Sequence, residues 1–298
     1  MSFGAIADDY NRFRPGPAPD AVDWLLPAGC QVAVDLAAGT GLLTRALASR
    51  VPRVVAVEPD ERMAAVLRAS VADGTAAGGT TTEGMAAGGM ATGGTVIGSI
   101  EVLPGRGEQI PLPDASADAV FVSSAWQWMD PDPAAREIAR VLRDGGRFGL
   151  LWTGRDRDVD WVRDLDALRE PRPGPAQPDA RHTGRDDTDR DTNHDTDRDT
   201  DRDTDNTSWH RGRTPAGLPD GLFGPAQTAS FTYSRTMTIE DVVAMLATYS
   251  GLITASPQDA ADALDRARAA LRRLFPGAEQ IDVPVRSRCW RADRTPRG

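Results

Sequence analysis

The sequence predicts an α/β fold in which helices cover both faces of a doubly wound, mostly parallel sheet. Three observations support this fold class. Short valine-rich runs without charge recur through the first half of the chain, as buried parallel strands require. Amphipathic segments with helical spacing separate these runs. A glycine turn, residues 39–41, follows the first run and leads directly into the first of those helices.

Seven segments are predicted to be strands because they are short, rich in β-branched and aromatic residues, and bounded by turns. They are CQVAVDLAAG, RVVAVEPD, SIEVL, ADAVFVSSA, RFGLLWTG, TASFTYSRTMT and IDVPVRSRCW. The last contains Pro284, which cannot donate a ladder hydrogen bond, so this strand is predicted to close the sheet at an edge. Arg286, Arg288 and Arg291 follow a nearly alternating pattern along it, as expected of a solvated edge.

Five segments have the spacing of amphipathic helices. They are LLTRALAS, ERMAAVLRASV, DPAAREIARVLRDGG, TIEDVVAMLATYS and SPQDAADALDRARAALRRLF. Gly145 is predicted to stop the third helix, and the fourth begins with a threonine cap followed by two acids. Because crossovers between parallel strands are right-handed, the alternation predicts a Rossmann-like, seven-stranded layer with helices on both faces.

Two segments are predicted to be disordered insertions in a single domain that spans residues 1–298. Residues 74–99 are mostly Gly, Thr, Ala and Met, with too little bulk to offset the entropy of ordering. Residues 171–210 are rich in proline and in an Asp-Thr-Asp-Arg repeat, in which ten Asp face four Arg over 183–208. The repeat lacks the central Gly and final Glu of an EF-hand loop, so a solvated linker is the interpretation that we adopt.

Composition limits the classes of partner. The formal net charge is −10 and the isoelectric point about 4.9, which disfavours binding to nucleic acid. No run of 18 apolar residues predicts a membrane span, and the N-terminus lacks the pattern of a signal peptide. Cys30 and Cys289 are expected to be reduced, and we expect a cytoplasmic location. No metal-ligand cluster is visible, and all three histidines belong to or adjoin the second insertion.

The glycine turn predicts a nucleoside ligand. Gly39 and Gly41 let backbone amides approach a ligand beyond the first strand, and Glu58 ends the second strand, where an acid accepts ribose hydroxyls. A dinucleotide fingerprint needs a third glycine, and Thr44 stands there. Asp35 would repel a pyrophosphate but would suit a cationic ligand, as S-adenosylmethionine is.

The motifs DLAAGTG, VEPDERM, GRGEQIPLPDASADAV and RVLRDGG together resemble the class I S-adenosylmethionine-dependent methyltransferases. The similarity covers about residues 10–152 and is greatest to the small-molecule branch (methyltransferase type 11), which includes ubiquinone/menaquinone-type and trans-aconitate-type enzymes. This resemblance implies S-adenosylmethionine as cofactor and methyl transfer to a small-molecule acceptor through an oxygen, nitrogen or carboxylate. The transfer would proceed by in-line displacement, with the enzyme acting by positioning.

The resemblance also implies roles for individual residues. Asp35 would anchor the amino end of the cofactor, and Glu58 would bind its ribose hydroxyls. Arg14, in an N-terminal segment that folds over the cofactor, would meet its carboxylate. The remaining cofactor-binding candidates are Ala37, Gly39 and Gly41 along the methionine and ribose, Pro59, Met63, Gly107 and Glu108 around the adenine, and Ser123 at the floor.

The acceptor is expected between Tyr10, the WQW loop and a helical lid over residues 237–275. Trp126, Gln127 and Trp128 are therefore acceptor-pocket candidates. Gln127 replaces the histidine that relatives often carry before Trp-x-Asp, which leaves open an alternative in which the chain is an inactive S-adenosylmethionine-binding regulator or scaffold. A third alternative, an NAD-dependent oxidoreductase, would need the missing third glycine and a catalytic Tyr-Lys pair or histidine. The sequence does not predict an oligomeric state.

Overall fold

A computed structural model describes residues 7–72, 98–168 and 218–296. Its seven strands are β1 Val32–Leu36, β2 Arg53–Val57, β3 Ser99–Leu103, β4 Ala117–Ser123, β5 Leu142–Arg155, β6 Gln227–Thr238 and β7 Gln280–Asp293. Its helices are α1 Ala7–Phe13, α2 Pro19–Leu25, α3 Leu42–Ala48, α4 Glu61–Ala72, α5 Pro131–Val141, α6 Asp160–Ala167, α7 Ile239–Ala247, α8 Ser250–Ile253 and α9 Pro257–Leu274. A short 3₁₀ helix covers Trp126–Trp128.

All seven strands join one sheet in the order β3-β2-β1-β4-β5-β7-β6. Strands β1 to β5 are parallel to one another, whereas β7 is antiparallel to both β5 and β6. The predicted doubly wound, mostly parallel α/β fold is thus confirmed. Reversal of the strand order at β1 and β4 opens a crevice at their carboxyl ends, which is where such sheets bind ligands.

The prediction that the last strand closes the sheet is wrong. β7 lies between β5 and β6, and β6 forms the edge. Pro284 is tolerated in this interior strand because it lies one residue beyond the last β5–β7 pair, Arg155 with Val285. The arginines of β7 are accordingly not a solvated row: Arg286 pairs with Asp156 at 2.8 Å, and the Arg291 guanidinium stacks 4.0 Å from the Trp24 ring centroid.

The end of α5 also differs from prediction. The helix stops at Val141, four residues before Gly145, because Leu142 already pairs with Ala117 of β4. Gly145 instead adopts a φ of 73°. Ile138 and Val141 on the predicted buried face of this helix are fully buried, as is Leu142 at the start of β5.

Three apolar clusters hold the layers together. One lies between the sheet and α5, and a second between the sheet and α2 and α3. The third joins α7 and α9 to β6 and β7, with Val242, Leu246 and Leu271 fully buried. The helices α7 to α9 occupy the region predicted as a lid over residues 237–275. Cys30 and Cys289 are buried free thiols, and burial raises the pKa of each to about 12.

The predicted insertion at 171–210 lies outside the described residues. So does the insertion at 74–99, apart from its last two positions, where Ser99 already begins β3. In the part of the chain that the structure describes, no helix has the length and apolar character needed to cross a bilayer.

Candidate functional site

A cavity of about 610 Å³ opens at the carboxyl ends of β1, β2 and β4. The loops after these strands form its floor, and the segment that follows α1 borders it. Eleven candidates from the sequence line it: Tyr10, Arg14, Ala37, Gly39, Glu58, Pro59, Met63, Gly107, Glu108, Ser123 and Trp128. Asp35, Gly41, Trp126 and Gln127 do not line it.

The glycine loop between β1 and α3 is built from left-handed residues. Ala37, Gly39 and Gly41 have φ values of 57°, 58° and 84°, a region where a side chain is strained. Gly41 caps α3, and a Cβ there would lie 2.2 Å from Leu67 Cδ1. Gly39 differs, because no heavy atom lies within 4 Å of the position of a Cβ. Gly41 is therefore required by packing, whereas Gly39 leaves room for a ligand.

Glu58 bridges the glycine loop and the start of α4. Its Oε2 accepts a hydrogen bond from the Gly39 amide at 2.7 Å, and its Oε1 accepts one from the Asp60 amide at 2.9 Å. Burial raises the pKa of this carboxyl, and the two amides oppose that rise. The two hydrogen bonds from backbone amides fix the carboxylate at the cavity wall, and each oxygen keeps a second lone pair for a hydroxyl donor.

Asp35 lies beneath the glycine loop, fully buried. Its Oδ2 accepts a hydrogen bond of 2.6 Å from the hydroxyl of Thr44, whereas its Oδ1 has no partner among the described residues. Burial raises its pKa to about 7, the Thr44 hydrogen bond opposes this, and the charge of Glu58 adds to it. Thr44 occupies the third-glycine position of a dinucleotide fingerprint, so the residue that breaks that pattern here holds the acid in place.

The side of the cavity near β2 and β3 is lined by Pro59, Met63, Gly107 and Glu108. A Cβ on Gly107 would approach Met129 Sδ to 2.7 Å, so a larger residue there would require the Met129 side chain to move. Glu108 accepts a hydrogen bond of 2.9 Å from the Asp130 amide. This bond joins the loop after β3 to the loop after β4.

The WQW segment contributes one side chain to the cavity. Trp128 lines it and is 57% exposed, whereas Trp126 is buried with its ring centroid 5.5 Å from that of Phe148. Gln127 donates a 3.3 Å hydrogen bond to the Ser124 carbonyl, and its Oε1 is buried without a partner among the described residues. A 3₁₀ helix has three residues per turn, so three successive side chains point in three directions.

Arg14 lines the cavity from the segment that follows α1. Its guanidinium lies 3.6 Å from the ring centroid of Tyr249 and 5.0 Å from that of Tyr10. Its Nε donates to the Thr248 hydroxyl and its Nη2 to the Thr248 carbonyl, both at 3.0 Å. Nη1 makes no hydrogen bond to the described residues and remains as a donor for a ligand.

Several residues of the site have no signal in the local sequence. Arg235 of β6 donates to the carbonyls of Arg12, Phe13 and Arg14 at 2.8 to 3.2 Å, which fastens the end of α1. Arg45 of α3 donates to Asn11 of α1 at 2.7 Å. The lining residues that we did not predict are Pro15, Pro17, Ala38, Thr40, Leu42, Leu43, Arg106, Ala125, Met129 and Thr153. Thr153 lies at the carboxyl end of β5, where the rule for parallel sheets points to it.

Comparison with known proteins agrees with this architecture. Residues 34–150 match the family model described as a methyltransferase domain. They form a class I S-adenosylmethionine-dependent methyltransferase domain. An uncharacterized methyltransferase of Mycobacterium tuberculosis is 43% identical over 165 residues, which cover 55% of this chain and 57% of the relative. The ubiquinone/menaquinone biosynthesis C-methyltransferase of Rubrivivax gelatinosus is 35% identical over 152 residues, which cover 51% and 47%.

The chain spans about half the length of the curated relatives it matches. A solved structure from Anaeromyxobacter dehalogenans, assigned as a type II methyltransferase, superimposes with a TM-score of 0.55 at 20% identity. That comparison covers 96% of this chain and all of the other, and it extends the fold similarity beyond the methyltransferase domain to β6 and β7.

The residues of the methyltransferase domain fit S-adenosylmethionine. The open space at Gly39 admits a ligand against the backbone, Glu58 presents acceptors, and the buried Oδ1 of Asp35 lacks a donor. The acidic side chains of Asp35 and Glu58 suit a ligand that carries positive charge and no phosphate. In residues 7–72, 98–168 and 218–296 no group of three or more metal-ligating side chains is found.

Proposed function

We propose that this protein binds S-adenosylmethionine in the cavity and promotes transfer of a methyl group to a small-molecule acceptor. The observation that carries the proposal is the position of Glu58. Its carboxylate is held by two amides at the carboxyl edge of β2, facing the space that Gly39 leaves open. The methyltransferase domain supports the cofactor class, and this geometry supports the cavity as its binding site.

When bound, S-adenosylmethionine supplies a methyl group on a positively charged sulfur. Different residues of the chain would bind the two ends of that molecule. Glu58 would accept from the ribose hydroxyls, while Pro59, Met63 and Gly107 would enclose the adenine. The Nη1 of Arg14 would donate to the carboxylate, and Asp35, beneath the loop, would attract the ammonium end. These contacts fix the direction in which the methyl group faces.

The acceptor would enter from the side of Tyr10 and Trp128, with α7 to α9 beyond Arg14. Position alone can supply a large part of the acceleration, because a displacement between two held reactants becomes effectively unimolecular. None of the described residues is a histidine. Acceptors that arrive with the reacting atom already deprotonated, or with an unprotonated nitrogen, fit this cavity because they need no strong base.

Titration calorimetry with S-adenosylmethionine, its demethylated product and NAD tests the first half of the proposal. We expect binding of the first two and none of NAD. A screen with a radiolabelled methyl donor and pooled small molecules tests the second half. Binding without transfer to any pool would favour the regulator or scaffold over the enzyme. Absence of binding to both adenosyl compounds would reject the proposal altogether.

A further inference from the structure

Arg155 lies at the carboxyl end of β5, two residues after Thr153, which lines the cavity. Residues two apart in a strand point to the same face of the sheet, so Arg155 lies on the same face as Thr153. Its guanidinium is 4.9 Å from the ring centroid of Tyr249, and the same ring is 3.6 Å from the guanidinium of Arg14. Arg155 and the lining residue Arg14 therefore contact the same aromatic ring.

The hydrogen bonds of Arg155 are incomplete. Its side chain is only 2% exposed, and its Nη2 donates to Asp166 Oδ1. Its Nε and Nη1 are both buried and have no partner among the described residues. Unpaired donors on a buried charged group are unfavourable, and each such group in a protein calls for an explanation. The Asp166 carboxylate, which Arg157 shares, already pairs with the charge of Arg155, so the oxygens of an anion would satisfy the two remaining donors.

Charge is distributed unevenly along the cavity. Acids line the end near β2 and β3, where Glu58, Asp60 and Glu108 outnumber Arg106. At the β5 end Arg14 lines the cavity with its hydrogen bonds directed to the neutral Thr248, and Arg155 lies behind it. A cation binds best at the first end and an anion at the second.

We propose that Arg155 is the subsite for a carboxylate of the methyl acceptor, so that the acceptor is a small organic acid. The inference rests on the proposed function, which leaves the class of acceptor open. The carboxylate accepts from the guanidinium nitrogens that now lack partners, through charge-assisted hydrogen bonds in a site from which water is excluded. Because Arg155 does not itself line the cavity, the Tyr249 side chain turns aside as the acid enters.

The test measures binding, independently of turnover. The full chain, saturated with S-adenosylhomocysteine, is titrated with a panel of small mono- and dicarboxylic acids, each paired with its primary amide. We expect at least one acid to bind and to raise the melting temperature, and its amide to do neither. Arg155→Gln should weaken that acid ~10- to 100-fold, the range for a lost hydrogen bond to a charged group. Arg155→Lys, which keeps the charge and a donor to Asp166, should give an intermediate loss.

Arg157→Gln is the matched control, because Arg157 donates to the same Asp166 at 2.7 Å and is half exposed. It should leave the affinity for the acid unchanged. Unaltered affinity for S-adenosylhomocysteine shows that each variant is folded. Failure to bind that nucleoside in the wild-type chain rejects the proposed function. If S-adenosylhomocysteine binds normally, three results would each reject only the carboxylate subsite. These are that amides bind as well as acids, that no acid binds, or that Arg155→Gln and Arg157→Gln have the same affinity for the acid.

Discussion

The two ends of the cavity are assembled in different ways. At the end near β2 the contacts join residues that are close in sequence. Thr44 donates a hydrogen bond to Asp35 nine positions away, and Gly39 donates one to Glu58 nineteen positions away. At the end near β5 they join distant ones. Arg14 donates a hydrogen bond to Thr248, 234 positions away, and Arg235 donates one to Phe13, 222 positions away. The first end is thus a local motif, whereas the second exists only when the whole sheet is in place.

This difference predicts where substitutions act. Changes at the local end should alter the cofactor site directly, through backbone geometry and the carboxylates. Changes at the distant end should alter the position of α1 and the residues that it carries. The predictions below test that division, from the largest expected effect to the smallest.

Gly41→Ala should be the most disruptive of these substitutions. Its Cβ would meet Leu67 Cδ1 at 2.2 Å, and its φ is 84°. Strain and overpacking together should lower the free energy of unfolding by about 2–5 kcal/mol. Gly145→Ala is the matched control, because φ is 73° and no atom lies within 4 Å; it should cost about 1–2 kcal/mol. Urea unfolding measures both, and equal losses would show that packing around the loop is not tight.

Asp35 should make the folded chain less stable as the pH rises. Its pKa is about 7 in the folded state because it is buried, against an ordinary value near 3.9. Between about pH 4 and pH 7 the folded state therefore keeps a proton that the unfolded state has lost. The free energy of unfolding should fall through that range, by up to about 4 kcal/mol. Asp35→Asn should flatten the fall, as measured by urea unfolding at several pH values.

Asp118→Asn provides the opposite comparison. Burial raises the pKa of Asp118, but the Val32 amide and the Arg143 guanidinium outweigh this, so its pKa is lowered. Its contribution to stability is present above the ordinary pKa and is lost as the pH falls. The variant should therefore change the acid side of the profile and leave the fall in the free energy of unfolding from pH 4 to pH 7 as in the wild type. A profile for Asp35→Asn that matches the wild type would contradict the burial argument.

Glu58→Gln should weaken binding of S-adenosylhomocysteine by ~10- to 100-fold, or about 1–3 kcal/mol, because an amide nitrogen replaces one of two oxygen acceptors. Glu101→Gln on the neighbouring β3 is the control. Glu101 is exposed and pairs with Arg53 at 2.8 Å, away from the cavity. Calorimetry compares the two variants, and the same affinity in both would remove Glu58 from the ribose site.

Arg235→Gln should have the smallest effect, of about 1 kcal/mol, on the docking of α1. It removes donors to the carbonyls of Arg12, Phe13 and Arg14, so the amides of α1 should exchange hydrogen faster while those of α3 do not. Arg136→Gln is the control, since Arg136 pairs with the exposed Asp132 within α5, away from α1. Exchange that rises equally in α1 and α3 would mean a global loss of stability instead.

Sequence patterns predicted the parallel layer and the local end of the cavity, for physical reasons. A buried strand followed by a glycine turn has a composition of its own, and an acid at the end of the next strand has a fixed place relative to it. Position within a 3₁₀ turn has no such signature, so Trp126 and Trp128 could not be told apart. The interior place of β7 was missed because Pro284 suggested an edge. Only the register shows that β5 has ended where the proline lies.

Most of the distant end could not be predicted from composition or spacing, and only the family resemblance pointed to Arg14 and to residues 237–275. Nothing near Arg235 or Thr248 in the sequence shows that the residues after α1 return to them. Their pairing follows from the order of strands across the sheet, in which β6 lies beyond β7. Thr153 is the exception, since its place at the carboxyl end of a parallel strand is itself a signal.

The interior position of β7 has a consequence for how the chain matures. Strand β6 contacts the sheet through β7, so residues 227–238 have no partner strand until residues 280–293 have left the ribosome. The carbonyls at the end of α1, which is synthesised before all seven strands, cannot bind Arg235 until that strand is in place. The half of the pocket around Arg14 is thus the last to be assembled during synthesis, although Arg14 precedes every strand in the chain.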